Sequence, residues 1–368
     1  MSVHELALQR NKYKHLSDEE WRWLLQQVEG RERTADKLPT FAAIPDWWYP
    51  VRLSCEQCSS ELTARYKASL IANGQKRMVD LTAGYGVDTY FLSEKFQSAD
   101  YVEQNSELCR IATHNFAGKP ITIHNTTAEE FLQTAGRYDL IFLDPARRDS
   151  HGGKVFRLAD CTPNVVELLP KLIEHGKRLL LKLSPMLDIS QAQKELSAFG
   201  LQWSVYVVAV KNEVKEVLLL SGGNGTITAI DLEKKDQSFV FTREEESEAL
   251  YTLRPTPYTY LYEPNAAILK AGAYKLVAER FGLQKVDVNT HLYASDTLVE
   301  NFPGRVWKIK EIINHKFEII NANIVCRNYP LTPEQLKKKL RIKDGGESYI
   351  IGCRVAGKPT LFLAERLS

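Results

Sequence analysis

The stretch that most constrains this chain is Met78-Val79-Asp80-Leu81-Thr82-Ala83-Gly84-Tyr85-Gly86-Val87-Asp88. Apolar residues run into an acid, a tight glycine turn follows, and an amphipathic segment continues from Thr89 to Phe96. That order predicts a strand, a glycine-rich loop and a helix start. In an α/β sheet a nucleotide-like ligand sits at such a place, at the carboxyl end of the first strand. Gly84 and Gly86 lack side chains, so backbone N–H groups there can approach a ligand closely. Thr82 lies in the same turn. Asp80, ending the strand, is placed to hold a ligand amino group directly or through water. Short glycine patterns recur by chance, so the reading needs support from elsewhere in the chain.

Support comes from residues 76–222, where strand and helix signals alternate as a doubly wound parallel sheet requires. Strands are expected at Met78–Leu81, Ala99–Glu103, Ile121–His124, Leu140–Leu143, Arg178–Leu183, Val205–Val210 and Glu216–Leu220. Buried parallel strands read as near-continuous apolar runs, and Leu-Ile-Phe-Leu and Leu-Leu-Leu-Lys-Leu are such runs. Lys211-Asn212-Glu213 between the last two strands suits a hairpin.

An acid at the end of the second strand has a known use. Glu103, 19 residues beyond Gly84 and followed by Gln104, can accept both hydroxyls of a ribose. NAD and other nucleotide ligands share that feature. After the third strand, Thr127 and Ala128 offer backbone contacts to an adenine. A helix N-cap at Thr126 or Thr127 accounts for the same residues equally well.

The strongest chemical signal is Leu143-Asp144-Pro145-Ala146-Arg147-Arg148-Asp149, at the end of the fourth strand and beside the topological switch point. Charges there are costly unless they pair or act. Asp144 is placed to orient or deprotonate an acceptor nitrogen and to touch the cofactor. Arg147 and Arg148 suit a phosphate or carboxylate. The bland reading is a local Arg–Asp network that shapes the loop. Lys182 breaks an otherwise apolar strand on the same rim, either as a substrate ligand or as a partner for Asp144.

Residues 1–75 read as helical. Ser17 followed by Asp18, Glu19 and Glu20 marks a helix start, and Trp21, Leu24, Leu25 and Val28 keep helical spacing up to a polar break at Gly30 to Pro39. Trp47 and Trp48 in a Pro-bounded loop read as packing or as a cap over the active site. Ser59 or Ser60 opens another helix. Cys55 and Cys58 form one Cys-x-x-Cys pair with no second pair or histidines at zinc spacing, so no metal is expected.

Residues 223–261 read as a connector. Asn224-Gly225 suggests a β-hairpin, and the charge run Arg243 to Glu248 an exposed tip. Residues 262–368 read as a smaller α+β domain. Helices are expected over Asn265–Phe281 and Thr332–Leu340, with strands near Arg305–Ile309, Ile324–Arg327, Ser348–Val355 and Thr360–Leu363. Lys337, Lys338, Arg341 and Lys343 form a basic cluster with Arg327 and Tyr329 upstream, a composition that suits a phosphate backbone or a plain solvated helix face.

Composition narrows the class. The 368 residues are 44% apolar and 26% charged, as in soluble globular proteins. A net charge of +2 does not by itself mark a nucleic-acid binder. Six cysteines are too sparse for a disulfide scaffold and favour a reducing, cytoplasmic setting. The first 21 residues hold no apolar core of signal-peptide length, and no run approaches the roughly 20 residues that span a bilayer.

Together these residues resemble class I S-adenosyl-L-methionine (SAM) methyltransferases over about residues 55–222. A seven-stranded sheet ending in a hairpin matches that family better than a dinucleotide fold, whose last strands are all parallel. Leu143-Asp-Pro-Ala-Arg147 is similar to the Asp-Pro-Pro-Arg loop of RNA methyltransferases, including tRNA guanine-N1 enzymes. It departs from (Asn/Asp)-Pro-Pro-(Tyr/Phe), because Arg147 stands where an aromatic would stack on the base. It also lacks the cysteine beside the Pro loop that some cytosine-C5 enzymes use. More narrowly, the whole chain resembles a bacterial methyltransferase family with a C-terminal THUMP-like domain, through Gln57-Cys-Ser-Ser-Glu61, Asp144-Pro-Ala-Arg-Arg148, Tyr262-Glu-Pro-Asn-Ala266 and Leu340-Arg-Ile-Lys-Asp-Gly-Gly346.

The expectation is a SAM-dependent RNA methyltransferase. Asp80, Thr82, Gly84, Gly86, Glu103, Gln104, Thr127, Ala128 and Asp144 hold the cofactor, with the glycine loop facing its methionine carboxylate, and Asp144 with Arg147 positions the acceptor. Arg148, Lys182 and the C-terminal basic residues meet substrate. A methyltransferase for a protein or small molecule shares every cofactor residue. A non-catalytic RNA-binding factor with a vestigial SAM fold is the third reading.

Overall fold

The computed structural model describes residues 2–147, 157–234, 237–256, 258–313 and 321–367. They fall into two compact units, one holding Met1–Trp203 and Leu218–Asn224, the other Ser204–Val217 and Gly225–Ser368.

The first unit is built on a parallel sheet. Its strands are β1 (Gln75–Asp80), β2 (Phe96–Glu103), β3 (Ile121–Asn125), β4 (Leu140–Leu143) and β7 (Leu179–Leu183), in the order β3-β2-β1-β4-β7. Between β4 and β7 the two-residue strands β5 (Ala146–Arg147) and β6 (Cys161–Thr162) pair antiparallel. β4 is buried along its whole length, as its apolar run requires. Asp80 lies level with Tyr101 on one side and Phe142 on the other. The loops after β1, β2 and β4 therefore open on one edge of the sheet.

β8 (Trp203–Val210) and β9 (Glu213–Ser221) form the expected hairpin. Lys211 (φ 54°) and Asn212 (φ 59°) are both left-handed, the pattern of a type I′ turn. The end of β9 belongs to the first unit and lies beside β7, where the Leu179 N–H donates to Ser221 Oγ at 2.7 Å.

Ahead of the sheet, the helix Asp18–Thr34 starts in a capping box between Ser17 and Glu20. It runs through the expected break at Gly30, because the absence of a side chain there lets Tyr49 pack against the helix. The helix Glu61–Ser69 is capped by Ser60, whose hydroxyl accepts the Thr63 N–H at 3.2 Å.

In the second unit, β10 (Ile227–Asp231) pairs parallel with β8 and antiparallel with β11 (Phe239–Phe241). Asn224-Gly225 is thus not a hairpin turn: Gly225 (φ 82°) only redirects the chain, and the hairpin is β10–β11. The charge run Arg243–Glu248 is a helix rather than a bare tip. Glu246 accepts the N–H groups of Tyr274, Lys275 and Leu276 at 2.9–3.0 Å, placing a carboxylate on the positive end of the helix Tyr274–Phe281.

A seven-stranded sheet follows, with β12 (Tyr260–Pro264), β13 (Gln284–Asp287), β14 (Thr290–Ser295), β15 (Gly304–Ile312), β16 (Asn323–Arg327), β17 (Ser348–Val355) and β18 (Lys358–Arg366) in the order β13-β14-β12-β15-β18-β17-β16. The helix expected over Asn265–Phe281 is two, Ala266–Ala271 and Tyr274–Phe281, because Gly272 (φ 83°) ends the first. Trp307, Leu261 and Phe362 centre one core of this sheet. The helix Pro333–Leu340 inserts Leu336 into a smaller cluster with Ile342 and Ile350. Among the described residues no helix is long and apolar enough to cross a membrane.

Candidate functional site

The carboxyl edge of the first unit's sheet carries a cavity of about 330 Å³, within the range of small-molecule sites. The loop after β1 lines it from Asp80 to Asp88. Glu103 and Gln104 come from the end of β2, Thr126 to Glu129 from the start of the helix after β3, and Asp144 and Ala146 from the loop after β4. The structure therefore brings Asp80, Thr82, Gly84, Gly86, Glu103, Gln104, Thr127, Ala128 and Asp144 to one cavity, with Lys182 beside them.

Glycine is required at two points of the turn, for different reasons. Gly84 (φ 55°) has open space where a Cβ would stand, with only the Thr82 carbonyl oxygen at 4.0 Å. Gly86 (φ 82°) is tight: a Cβ would lie 2.6 Å from Phe116 Cζ. Between them Tyr85 turns inward. Its hydroxyl accepts the Trp47 indole N–H at 2.9 Å and donates to the Trp48 carbonyl oxygen at 3.2 Å. Trp47 stacks on Phe41, and Trp48 on His114 at 3.8 Å between ring centroids. The two tryptophans do not line the cavity, so they pack behind the glycine loop and do not cap it.

The acids of the site are differently held. Asp80 is buried; it accepts the Thr89 hydroxyl at 2.6 Å and the Thr82 N–H at 3.1 Å. Burial, with the Asp88 and Asp144 charges nearby, pushes its pKa up to about 8 despite those bonds. Glu103 accepts the Gly84 N–H at 3.0 Å and the Asn105 N–H at 2.8 Å, one on each carboxylate oxygen. Its remaining lone pairs suit a pair of hydroxyls. The Thr127 hydroxyl caps its helix by accepting the Glu130 N–H at 3.2 Å, which leaves the backbone of Thr127 and Ala128 at the cavity wall.

At the other end the charges form a chain. Lys182 pairs with Asp144 and lies 3.8 Å from Asp88. Asp88 accepts the Ser59 hydroxyl at 2.6 Å and pairs at 3.1 Å with Lys67, whose side chain has no solvent exposure. Burial alone would raise the Asp88 carboxyl, but Lys67 and then Lys182 hold it below its ordinary value. The Asp144 N–H donates to the Thr82 hydroxyl at 2.6 Å.

Gln57, Cys58, Ser59, Thr162 and Pro163 also line the cavity and were not expected there. Ser59 carried a signal as a helix cap and within the Gln57–Glu61 family motif; the cap is Ser60, and Ser59 serves Asp88. Cys55 is buried, its thiol pushed up to about 12 by burial. No group of three or more His, Cys, Asp or Glu among the described residues is placed to hold a metal.

The backbone of Arg147 pairs with Cys161. Its side chain, and Arg148 and Asp149, lie outside the described residues. The basic cluster belongs to the second unit. There Lys337 pairs with Asp344, and Lys338, Arg341 and Lys343 are exposed. Arg327 pairs with the buried Glu263.

Comparison with known proteins agrees with this architecture. A ferredoxin-like domain matches residues 260–303 and a THUMP domain-like model residues 304–366. A candidate methyltransferase from Porphyromonas gingivalis W83 is 34% identical, covers 96% of this chain and 92% of its own, and superposes with a TM-score of 0.85. A candidate methyltransferase from Streptococcus mutans, solved with S-adenosylhomocysteine, is 12% identical, covering 44% of this chain and 95% of its own at a TM-score of 0.32. One from Escherichia coli is 15% identical, covering 49% and 91% at 0.33. No curated protein matches the sequence.

Five parallel strands, an antiparallel β8–β9 hairpin beside them and a cavity at the carboxyl edge define a class I methyltransferase fold. The chain belongs to the family of the Porphyromonas gingivalis protein, methyltransferase-fold proteins that carry a C-terminal THUMP-like domain.

Proposed function

We propose that this protein is a SAM-dependent methyltransferase that acts on RNA. The observation that carries the cofactor assignment is the cavity itself. It joins an open cradle at Gly84, an acid with spare acceptor capacity at Glu103 and backbone at Thr127 and Ala128. In this reading Glu103 takes the ribose hydroxyls, Gln104, Thr127 and Ala128 border the adenine, and Asp80, Thr82, Gly84 and Gly86 shape the wall behind the amino-acid end.

When bound, SAM supplies a methyl group on a sulfonium, transferred by in-line displacement. The chain's part is then mostly positioning and exclusion of water. In this reading Asp144 accepts a hydrogen bond from the acceptor and takes its proton. Thr82 fixes the Asp144 backbone, and Lys182 fixes its carboxylate. Arg147 and Arg148 complete the acceptor loop by sequence.

The RNA assignment rests on the THUMP domain-like match over residues 304–366 and on the exposed Lys338, Arg341 and Lys343, with Lys337 beside them. Such cations bind a phosphate backbone without reading sequence. A cytoplasmic setting suits six free cysteines. The test is mass spectrometry of nucleosides in RNA from cells with and without the gene. One methylated nucleoside lost with the gene, and restored by wild type but not by Asp144→Asn, supports the reading. An unchanged profile, with a protein or small molecule methylated instead, overturns the RNA assignment.

A further inference from the structure

The cavity wall is rich in acids. Asp80, Asp88, Glu103, Glu129 and Asp144 line it, against a single lysine, Lys182, and no arginine among the described residues. SAM and S-adenosylhomocysteine end in an α-amino acid, and Lys182 is the one cation that the described lining offers its carboxylate. We propose that Lys182 receives this carboxylate, and that the Lys67–Asp88 pair beneath it keeps the ammonium in place for the purpose. The inference rests on the SAM reading given above.

Three observations lead there. Strand order fixes the direction: with the ribose at Glu103 on β2 and the adenine after β3, the rest of the ligand runs over β1 toward β4 and β7. Lys182 stands on β7, and Asp144 follows β4. Second, other donors at that end already serve protein carboxylates. The Ser59 hydroxyl donates to Asp88, the Thr89 hydroxyl and the Thr82 N–H donate to Asp80, and the Gly84 N–H donates to Glu103.

Third, Lys67 has no contact with solvent and no place in the cavity wall, yet it pairs with Asp88. Burying a lysine is costly unless it is paired. Its partner Asp88 is the second carboxylate beside Lys182. Lys67 offsets Asp88, so Asp88 orients Lys182 without cancelling its charge. The amino-acid end of the cavity then holds Lys67 against Asp88 and Lys182 against Asp144. A zwitterion enters a balanced site, its carboxylate at Lys182.

The experiment compares two probes by calorimetry at neutral pH: S-adenosylhomocysteine, and S-adenosyl-3-thiopropylamine, which lacks only the carboxylate. Wild type should prefer S-adenosylhomocysteine about 10–100-fold, the range for a hydrogen bond to a charged group. Lys182→Met should bind the two probes alike, and Lys182→Arg should recover most of the preference. Lys182→Gln serves if the Met variant does not fold. A wild type that binds both probes equally overturns the inference, and needs no variant. A preference kept in Lys182→Met overturns it too, while the SAM reading stands. A wild type that binds neither probe removes that reading and this inference together.

Discussion

The backbone N–H of Asp144 donates to the hydroxyl of Thr82 at 2.6 Å. This one bond ties the loop after β4 to the turn after β1, the two segments that carry the site's chemistry. A threonine two residues past a strand end looks unremarkable in sequence. Its importance lies across 62 positions of chain.

Thr82→Val keeps the shape of the side chain and removes the acceptor. The Asp144 N–H is then left unpaired in a partly buried place, at a cost of about 1–3 kcal/mol. The expected outcome is a lower urea midpoint at unchanged m-value, with S-adenosylhomocysteine affinity reduced by titration calorimetry. Full stability and full affinity would show that Thr82 does not hold the loop.

The two glycines of the turn should separate stability from binding. Gly86→Ala combines a left-handed backbone with a Cβ 2.6 Å from Phe116 Cζ, and should cost about 2–4 kcal/mol by strain plus overpacking. Gly84→Ala meets open space at its Cβ, so it should cost only about 1–2 kcal/mol, for the left-handed backbone. Its methyl group would stand where the ligand must approach, so S-adenosylhomocysteine affinity should fall. Denaturation and calorimetry on both variants check the contrast.

Asp80 predicts an unusual pH dependence. Its folded-state pKa of about 8 stands above the ordinary carboxyl value of 3.8, so between those values the folded state binds more protons than the unfolded one. Its contribution is fully present below about pH 4 and is lost as pH rises toward 8, by as much as about 1.4 kcal/mol per pH unit. Asp80→Asn should remove that slope, because the amide can still accept the Thr82 N–H and donate to the Thr89 hydroxyl. Denaturant midpoints for wild type and variant, taken from pH 5 to 8, test this. Parallel curves would mean that Asp80 is ionised throughout.

Lys338, Arg341 and Lys343 make a separable prediction. Replacing all three with glutamine should lower RNA affinity and flatten its dependence on log salt by about 0.7–0.9 for each phosphate that is no longer neutralised. S-adenosylhomocysteine binding should stay as in wild type. Filter binding at several salt concentrations reads the slope; an unchanged slope would make the cluster a solvated helix face.

Much of the first unit was legible because β4 and β7 are near-continuous buried apolar runs and its punctuation is glycine. The strand Leu140–Leu143 emerges with the expected ends, and the acid at Glu103 reaches the cavity as its spacing implies. The Lys67–Asp88–Lys182 chain was less open to sequence reading. Its members lie on three elements, and only Lys182 interrupts a pattern. In the second unit, β12 was hidden by Glu263 and Pro264, residue types depleted in strands. Glu263 is tolerated in this central strand because Arg305 and Arg327 neutralise it. The Asn224-Gly225 pair misled because a hairpin signal specifies a turn, not which strand the chain meets next.

The most direct test of the cofactor assignment is a calorimetric titration of the 368-residue chain with S-adenosylhomocysteine and, separately, with NAD. The expected result is one site for S-adenosylhomocysteine, weakened by Glu103→Ala, and no heat of binding for NAD. Binding of NAD with none of S-adenosylhomocysteine would contradict it.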